Sequence, residues 1–534
     1  MKEEYWSDTC SNTNSIEKPM PNAEPAYVTG GARIAILLSL CLSVFLMALD
    51  NSIIATAIPK ITDEFSSLND IGWYGTSYLL ATASLQLLFG KFYTFFSIKL
   101  VYITTIVVFE VGSLICATAP TSKVLITGRA IAGIGGAGIF SGALVILAYT
   151  VPLEKRPMYA GYIGSVWGIS SLAGPLLGGF FADTLTWRWC FWINIPIGII
   201  SLTMLFCCLK DPKRSTPTPP WRDLLAQLDL LGNALFMPSV ILLLLAVEKA
   251  GTSVSWFSMH VISLLIPAAV LFLAFVCLQI HLQDRATIPP RVMKKQMVWS
   301  SAVFTFGLGA AYVVSIYYLP IWFQAVKGAS AVQSGIMNLP LLLIVVVVSI
   351  VTGMAVTATG YFAPFMILSS LFMTAGYSLF EVLDVNSLTA FWIMIQLIAG
   401  TGVGCGLQLP VMAAQSVLQM SDVATGTSIM VFLQTLGGAV FVAVGQSVFS
   451  QVLTNSLKAK VPGIDVHKIL RVGATQVQTL GSETDVKVIM KSYNEALKAV
   501  FLVCAVSAGV SALGSMAAEW RNMANKDSKD GTEK

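Results

Sequence analysis

The sequence predicts an all-α polytopic membrane protein of fourteen transmembrane helices, and three observations carry that reading. Of its 534 residues, 55% are hydrophobic and only 11% are charged, where globular proteins carry about 25% charged residues. Mean hydropathy is +0.75. The apolar residues gather in stretches of about 20, the length a helix needs to cross the hydrocarbon of a bilayer. Lysine and arginine concentrate in alternate connections between those stretches, as expected when basic loops resist translocation. Charge this sparse cannot cover a water-soluble globule of 57.3 kDa. A soluble enzyme, a nucleic-acid binder and a disordered scaffold are therefore excluded. The net charge of +4 is also too small for a nucleic-acid footprint.

In chain order the spans are read over residues 33–55, 71–89, 100–119, 124–149, 158–181, 189–209, 229–248, 256–279, 298–323, 334–354, 362–381, 391–416, 423–453 and 498–519. The polar residues 1–32 lack the basic-then-apolar layout of a cleaved signal peptide, so the first span is expected to stay in the mature protein. Most connections are short and marked by Pro, Gly or charge, as in Val151-Pro-Leu-Glu-Lys-Arg-Pro157. Two are longer, Lys210–Leu228 and the polar Thr454–Ala499. With the N-terminus inside, nineteen basic residues fall on inner segments and five on the short outer loops. The even number of spans returns the C-terminus to the same side. Both termini are thus expected in the cytoplasm. The plasma membrane is the expected address and the vacuolar membrane the alternative.

Ionisable residues inside spans are costly and are functional candidates by default. Asp50 lies late in the first span, close to its outer face, Glu110 mid-way along the third, and Arg129 near the start of the fourth. Each has a structural alternative: a helix end for Asp50, a bond to a neighbouring helix for Glu110. Arg129 stays charged and must find a carboxylate, a carbonyl or water inside the bundle. The run from Gly128 to Gly138 formally matches a dinucleotide fingerprint at Gly133, Gly135 and Gly138, but no strand precedes it. Its glycines are expected to let helix backbones approach closely, as are those from Gly400 to Gly406. In the fifth span Gly164 and Gly168, then Gly174 and Gly178, form small-xxx-small pairs, and Pro175 removes a hydrogen bond to the Ser171 carbonyl. A thin helix of this kind suits the interface of a rocking bundle, or plain packing. Gly90-Lys91 lacks P-loop spacing, the histidines are isolated, and no G-x-S-x-G elbow occurs. No cofactor or metal is implied, and an ion gradient is the expected energy source.

With these residues in view, the chain resembles the major facilitator superfamily, specifically its fourteen-span drug:proton antiporter branch and, within it, fungal toxin and secondary-metabolite efflux pumps. The strings that carry the resemblance are Leu49-Asp50-Asn51-Ser52-Ile53-Ile54-Ala55-Thr56-Ala57-Ile58-Pro59, Gly128-Arg129 with Gly133 and Gly135, Gly174-Pro175-Leu176-Leu177-Gly178-Gly179, and Trp187-Arg188-Trp189-Cys190-Phe191-Trp192-Ile193-Asn194-Ile195-Pro196-Ile197-Gly198. Tyr318-Leu319-Pro320-Ile321-Trp322-Phe323-Gln324 and Ser334-Gly335 resemble the ninth-to-tenth-span region of fungal members. The loop after the second span departs from the family pattern: Gly90 and Lys99 fit its ends, but Thr94 and Phe95 stand where Asp and Arg would.

The resemblance implies a six-helix half over 33–209, a cytoplasmic loop over 210–228 and two extra helices over 229–279. A second loop over 280–297 then leads to a six-helix half over 298–519, with an extracytoplasmic loop over 454–497 and a cytoplasmic tail over 520–534. It places a substrate site between the halves. The expected function is proton-driven export of a small apolar compound by a functional monomer whose partners are substrate, protons and lipid. Asp50 or Glu110 would carry the proton and Arg129 would bias it; Gly174, Pro175, Gly178 and Gly179 form the antiporter-motif helix. Polar or amphipathic residues embedded in spans make Gln86, Asn194, Tyr317, Trp322, Gln408 and Gln434 the cavity candidates. A nutrient or siderophore importer on the same scaffold is the first rival, and a polytopic lipid enzyme the second.

Overall fold

A computed structural model describes residues 30–67, 70–211, 227–252, 256–460 and 483–523. Most of the expected tails, and most of the 210–228 loop, lie outside the described residues. The long helices are α1 (Gly31–Phe65), α2 (Ile71–Phe95), α3 (Ile98–Ala117), α4 (Ser122–Thr150), α5 (Arg156–Thr184), α6 (Asn194–Cys208), α7 (Leu230–Thr252), α8 (Met259–Leu282), α9 (Gln296–Ala325), α10 (Leu339–Thr359), α11 (Ala363–Leu379), α12 (Thr389–Gly406), α13 (Val423–Lys460) and α14 (Glu483–Met516). Short helices lead into α6 and α10 and follow α12. Among the described residues, thirteen helical stretches are long and apolar enough to cross a bilayer. The remaining long helix, α2, has 25 residues. It is less apolar because it carries Thr76, Thr82 and Gln86 on a face turned to an internal cavity.

Two boundaries differ from the sequence reading. Asp50 is not near a helix end: α1 runs on to Phe65, so about 22 Å of helix follows it at 1.5 Å per residue. The segment 454–497, expected as a polar loop, is helical over its described parts, since α13 continues to Lys460 and α14 starts at Glu483. Polar residues end a membrane span but not a helix, whose backbone bonds persist in water.

The packing pattern repeats with an offset of eight helices. In the first half α1 packs on α5 and α6, α4 on α2 and α3, and α3 on α6. In the second, α9 packs on α13 and α14, α12 on α10 and α11, and α11 on α14. Two seams join the halves, α5 against α10 and α2 against α13.

The same glycines make equivalent crossings. A methyl on Gly112 would lie 2.3 Å from the Ala132 nitrogen, and one on Gly376 would lie 2.5 Å from the Ala399 nitrogen. Gly133 similarly meets the Tyr78 carbonyl oxygen at 2.4 Å, and Gly400 that of Leu341 at 2.9 Å. The repeat extends to the arginine. Arg129 Nε donates to the Tyr74 carbonyl at 2.8 Å, while Gln396, four residues before Gly400, donates through Nε2 to the Met337 carbonyl at 3.1 Å. The second half thus holds a neutral amide where the first holds a guanidinium.

Of the extra pair, α7 touches α8, α2 and α13, and so lies over one seam. Its start is tied down by buried Asp229. Asp229 Oδ1 caps the helix by accepting from the Gly232 nitrogen at 2.8 Å. Oδ2 accepts from Gln279 Nε2 at 2.7 Å, from the Thr287 nitrogen at 2.9 Å and from Thr287 Oγ1 at 2.8 Å. Asp229→Ala leaves those donors unpaired, at about 1–3 kcal/mol for each buried group. The expected result is a drop in thermal midpoint of several degrees in detergent, measured against Asp284→Ala, whose carboxylate is exposed.

Candidate functional site

Four helices of the first half converge on Asp50. Arg129 Nη1 donates to Asp50 Oδ2, and Asn194 Nδ2 donates to Asp50 Oδ1 at 3.4 Å and to Ser113 Oγ at 3.1 Å. All three of Asp50, Arg129 and Asn194 are fully buried. The guanidinium stands 4.5 Å from the ring centre of Tyr78 and 6.0 Å from that of Phe191. Glycines on α4 bring its backbone close enough for this reach: a methyl on Gly135 would lie 2.5 Å from the Phe109 nitrogen. Arg129 Nη2 and Asn194 Oδ1 have no hydrogen-bond partner in the protein. A buried ion pair contributes little net stability because desolvation offsets the attraction. This one is also incompletely satisfied, so its desolvation is not fully offset.

Glu110 is set apart from this pair. It lies on α3 against α6, where a methyl on Gly198 would fall 1.9 Å from its Oε1. Neither of its carboxylate oxygens has a partner in the protein.

A cavity of about 470 Å³ lies between the halves, lined by α1, α2, α4 and α5 on one side, by α9, α13 and the end of α12 on the other, and by α7. That volume suits a drug-sized ligand. Gln86, Tyr317, Gln408 and Gln434 line it. Asn194 and Trp322 do not. Asn194 is held behind the wall by Asp50, and Trp322 is fully buried, donating through Nε1 to Asn494 Oδ1 at 2.8 Å. Their amphipathic character serves bonds between helices, which sequence position alone does not separate from bonds to a ligand. Missed by the sequence reading were Asn51, Tyr78, Tyr312, Gln446 and Glu248, all on the lining. Spacing could have found Glu248: Leu244, Val247 and Glu248 fall on one helical face. Tyr78 is the shared wall, one face to Arg129 and the rest to the cavity.

The small residues of α5 divide their work. Gly161 and Gly168 face the second half, where methyl groups would lie 2.7 Å from the Ser349 carbonyl oxygen and 2.6 Å from Val346 Cγ2. Gly164 makes room for Gln408. Gly174 and Gly178 turn instead to α1 of their own half, meeting Ser52 and Thr56, and Gly179 has nothing within 4 Å. Pro175 lies inside the continuous helix.

One end of the bundle carries Lys91, Arg156, Arg291 and Lys295 and is called here the basic end. The halves close on each other there. Tyr149 Oη donates to the Met420 carbonyl at 3.2 Å, Gln415 Nε2 to the Leu144 carbonyl at 3.3 Å, and the Thr94 and Thr425 hydroxyls meet at 3.4 Å. Arg291 forks onto Asp422 at 2.7 and 2.9 Å. Thr94 and Phe95 therefore stand at a seam made by hydroxyls and close backbones. At the opposite end the Trp187-Arg188 string is structural: Arg188 and Trp187 Nε1 both donate to Glu64, past the apolar part of α1. The Arg188 hydrogen bond holds the Glu64 carboxyl below its ordinary pKa.

A two-lobed helical bundle with a central cavity and two seams is the architecture of a membrane carrier. Residues 40–442 match the Major Facilitator Superfamily, and the chain belongs to that family. It is 50% identical over 501 residues to an MFS-type efflux pump of Arthroderma benhamiae, covering 94% of each chain. It is 45% identical over 523 residues to the efflux pump roqT of Penicillium rubens, covering 98% of this chain and 96% of the other. Its fold also matches a solved major facilitator proton:xylose symporter with a TM-score of 0.57 at 14% identity, over 89% of this chain and 94% of that one.

Proposed function

We propose that the protein is a proton-driven exporter of small, largely apolar organic compounds. The observation that carries the reading is a buried Asp50–Arg129 pair separated from a drug-sized, mostly neutral cavity by one aromatic side chain, Tyr78. A proton on Asp50 cancels the charge that holds Arg129 Nη1. The guanidinium then redistributes between the Tyr74 carbonyl and the Tyr78 ring, and Tyr78 transmits that shift to the cavity wall. Substrate and proton thus bias the same two-state equilibrium from opposite sides of one residue, which is what exchange requires. Export rather than import is supported by the relatives, which are described as efflux pumps.

The basic end faces the cytoplasm, as basic loops resist translocation, and both termini lie on that side. Both halves are on one chain, so a monomer suffices, in the plasma membrane. The protein works as a carrier, not an enzyme. Purified protein in liposomes with a trapped pH dye, challenged with a panel of apolar toxins, tests the reading. Substrate-dependent proton movement is the expected result. Substrate flux with no proton movement overturns the coupling and leaves a facilitator.

A further inference from the structure

The first half holds a second acid that the Asp50–Arg129 pair leaves unused. Glu110 lies on α3, where that helix packs on α6. It stands against Gly198, and neither of its buried carboxylate oxygens has a partner among the described residues. A carboxylate kept this way inside a span is costly, and its surroundings give it a use. Asn194, Gly198 and Ser201 are all buried and fall on one face of α6, at i, i+4 and i+7. The helix runs toward the basic end, where its Phe206 carbonyl accepts from Lys99 Nζ at 2.7 Å. Asn194 bonds Asp50 and Ser113. One turn nearer the basic end, Gly198 faces Glu110. A turn beyond that, Ser201 Oγ donates to the Ser39 carbonyl at 3.0 Å and Ser39 Oγ to the Ser201 carbonyl at 2.8 Å. Ser43, on the same face of α1 as Ser39, meets the Tyr102 hydroxyl of α3. Asp50, Ser113, Glu110, Ser43, Ser39 and Ser201 thus form a polar file inside the first half, and none of them lines the cavity. Charge around Glu110 is sparse. α6 carries none, and the next charge on α3 is Lys99, eleven residues away. From α1 Asp50 acts on Glu110 electrostatically, and Arg129 of α4 is already paired with Asp50.

We infer that Glu110 is a second proton station, which takes the proton from Asp50 and hands it along the file between α1, α3 and α6 to the basic end. Serine hydroxyls and an asparagine amide orient and pass a proton but do not hold one near neutral pH, whereas a carboxylate does. The proton then leaves through the interior of the first half while substrate uses the cavity between the halves, so neither blocks the other. This inference rests on reading Asp50 as the coupling acid.

Two measurements on the full-length protein in liposomes test it, with triphenylphosphine oxide and rhodamine 6G as neutral and cationic apolar probes. One is probe-driven proton movement, read by a trapped pH dye. The other is exchange of labelled for unlabelled probe across the membrane, which needs no net proton release. Glu110→Gln is expected to slow proton movement by roughly a hundredfold and to leave exchange within about twofold of wild type. Glu110→Asp, which keeps the acid, recovers most of the proton movement. Unimpaired proton movement in Glu110→Gln, or an equal loss of exchange, overturns the inference and leaves the proposed function standing. Should Glu110→Gln fail to fold, Tyr102→Phe carries the same test, since it keeps the ring and removes the hydroxyl next along the file: slowed proton movement with intact exchange supports the relay, and unchanged proton movement overturns it. A wild type that moves no protons with either probe overturns the proposed function and the inference together.

Discussion

Asp50→Asn is expected to lower the stability of the protein by about 3–5 kcal/mol, because it leaves a fully buried guanidinium without its counter-charge. Proton-linked export should fall to background. Loss of folding and loss of coupling are confounded in that variant, and the second half shows how to part them. Gln396 makes with the Met337 carbonyl the contact that Arg129 makes with Tyr74, and it does so without charge. The double variant Asp50→Asn with Arg129→Gln therefore restores the neutral arrangement the second half already uses. Its thermal midpoint should return most of the way to wild type while the pH dye in liposomes stays silent. A double variant that folds and still moves protons with substrate would remove the pair from the coupling mechanism.

Gly135→Val is expected to abolish the folded protein, and for a different reason. The new Cβ would stand 2.5 Å from the Phe109 nitrogen and 2.6 Å from the Thr105 carbonyl oxygen. Both are backbone atoms, which no rotamer change can move aside, so α3 and α4 must separate. Overpacking typically costs about 1–3 kcal/mol and more where the obstacle is rigid. The separation would also pull Arg129 away from Asp50. Gly179→Ala is the matched control: with open space around it, an alanine in mid-helix should be neutral or stabilise by about 0.5–1 kcal/mol. Size-exclusion profiles and thermal midpoints of the two variants check the contrast. A well-behaved Gly135→Val protein would mean that the crossing is looser than its geometry states.

The bundle was legible in the sequence because bilayer thickness turns hydropathy into helix count. The ionisable residues were legible because charge inside a span is rare. What the sequence did not carry was direction. Nothing in the order of residues says that Trp322 points to Asn494 or Asn194 to Asp50, rather than into the cavity, since both jobs call for a polar group within a span. The glycine pairs of α5 are plain in the sequence but their partners are not, and they face two different neighbours because a helix long enough to pass from one neighbour to another changes partners along its length. Glu248 escaped notice because an acid beside a lysine at the end of an apolar run has the composition of a helix end in water. The α1 boundary failed for a related reason: the polar residues after Ile54 stop the hydrophobic pattern without stopping the helix.

The correspondence between Arg129 and Gln396 bears on how such a molecule divides labour after duplication. Two copies of one architecture need the same interlocking of helices, and each retains a long polar side chain bonding the carbonyl of the same neighbouring turn. Only one copy has made that side chain a permanent charge and set an acid beside it. The same interlocking of helices thus accepts either a neutral amide or a charged pair at that crossing, and among the described residues the charged pair stands in the first half.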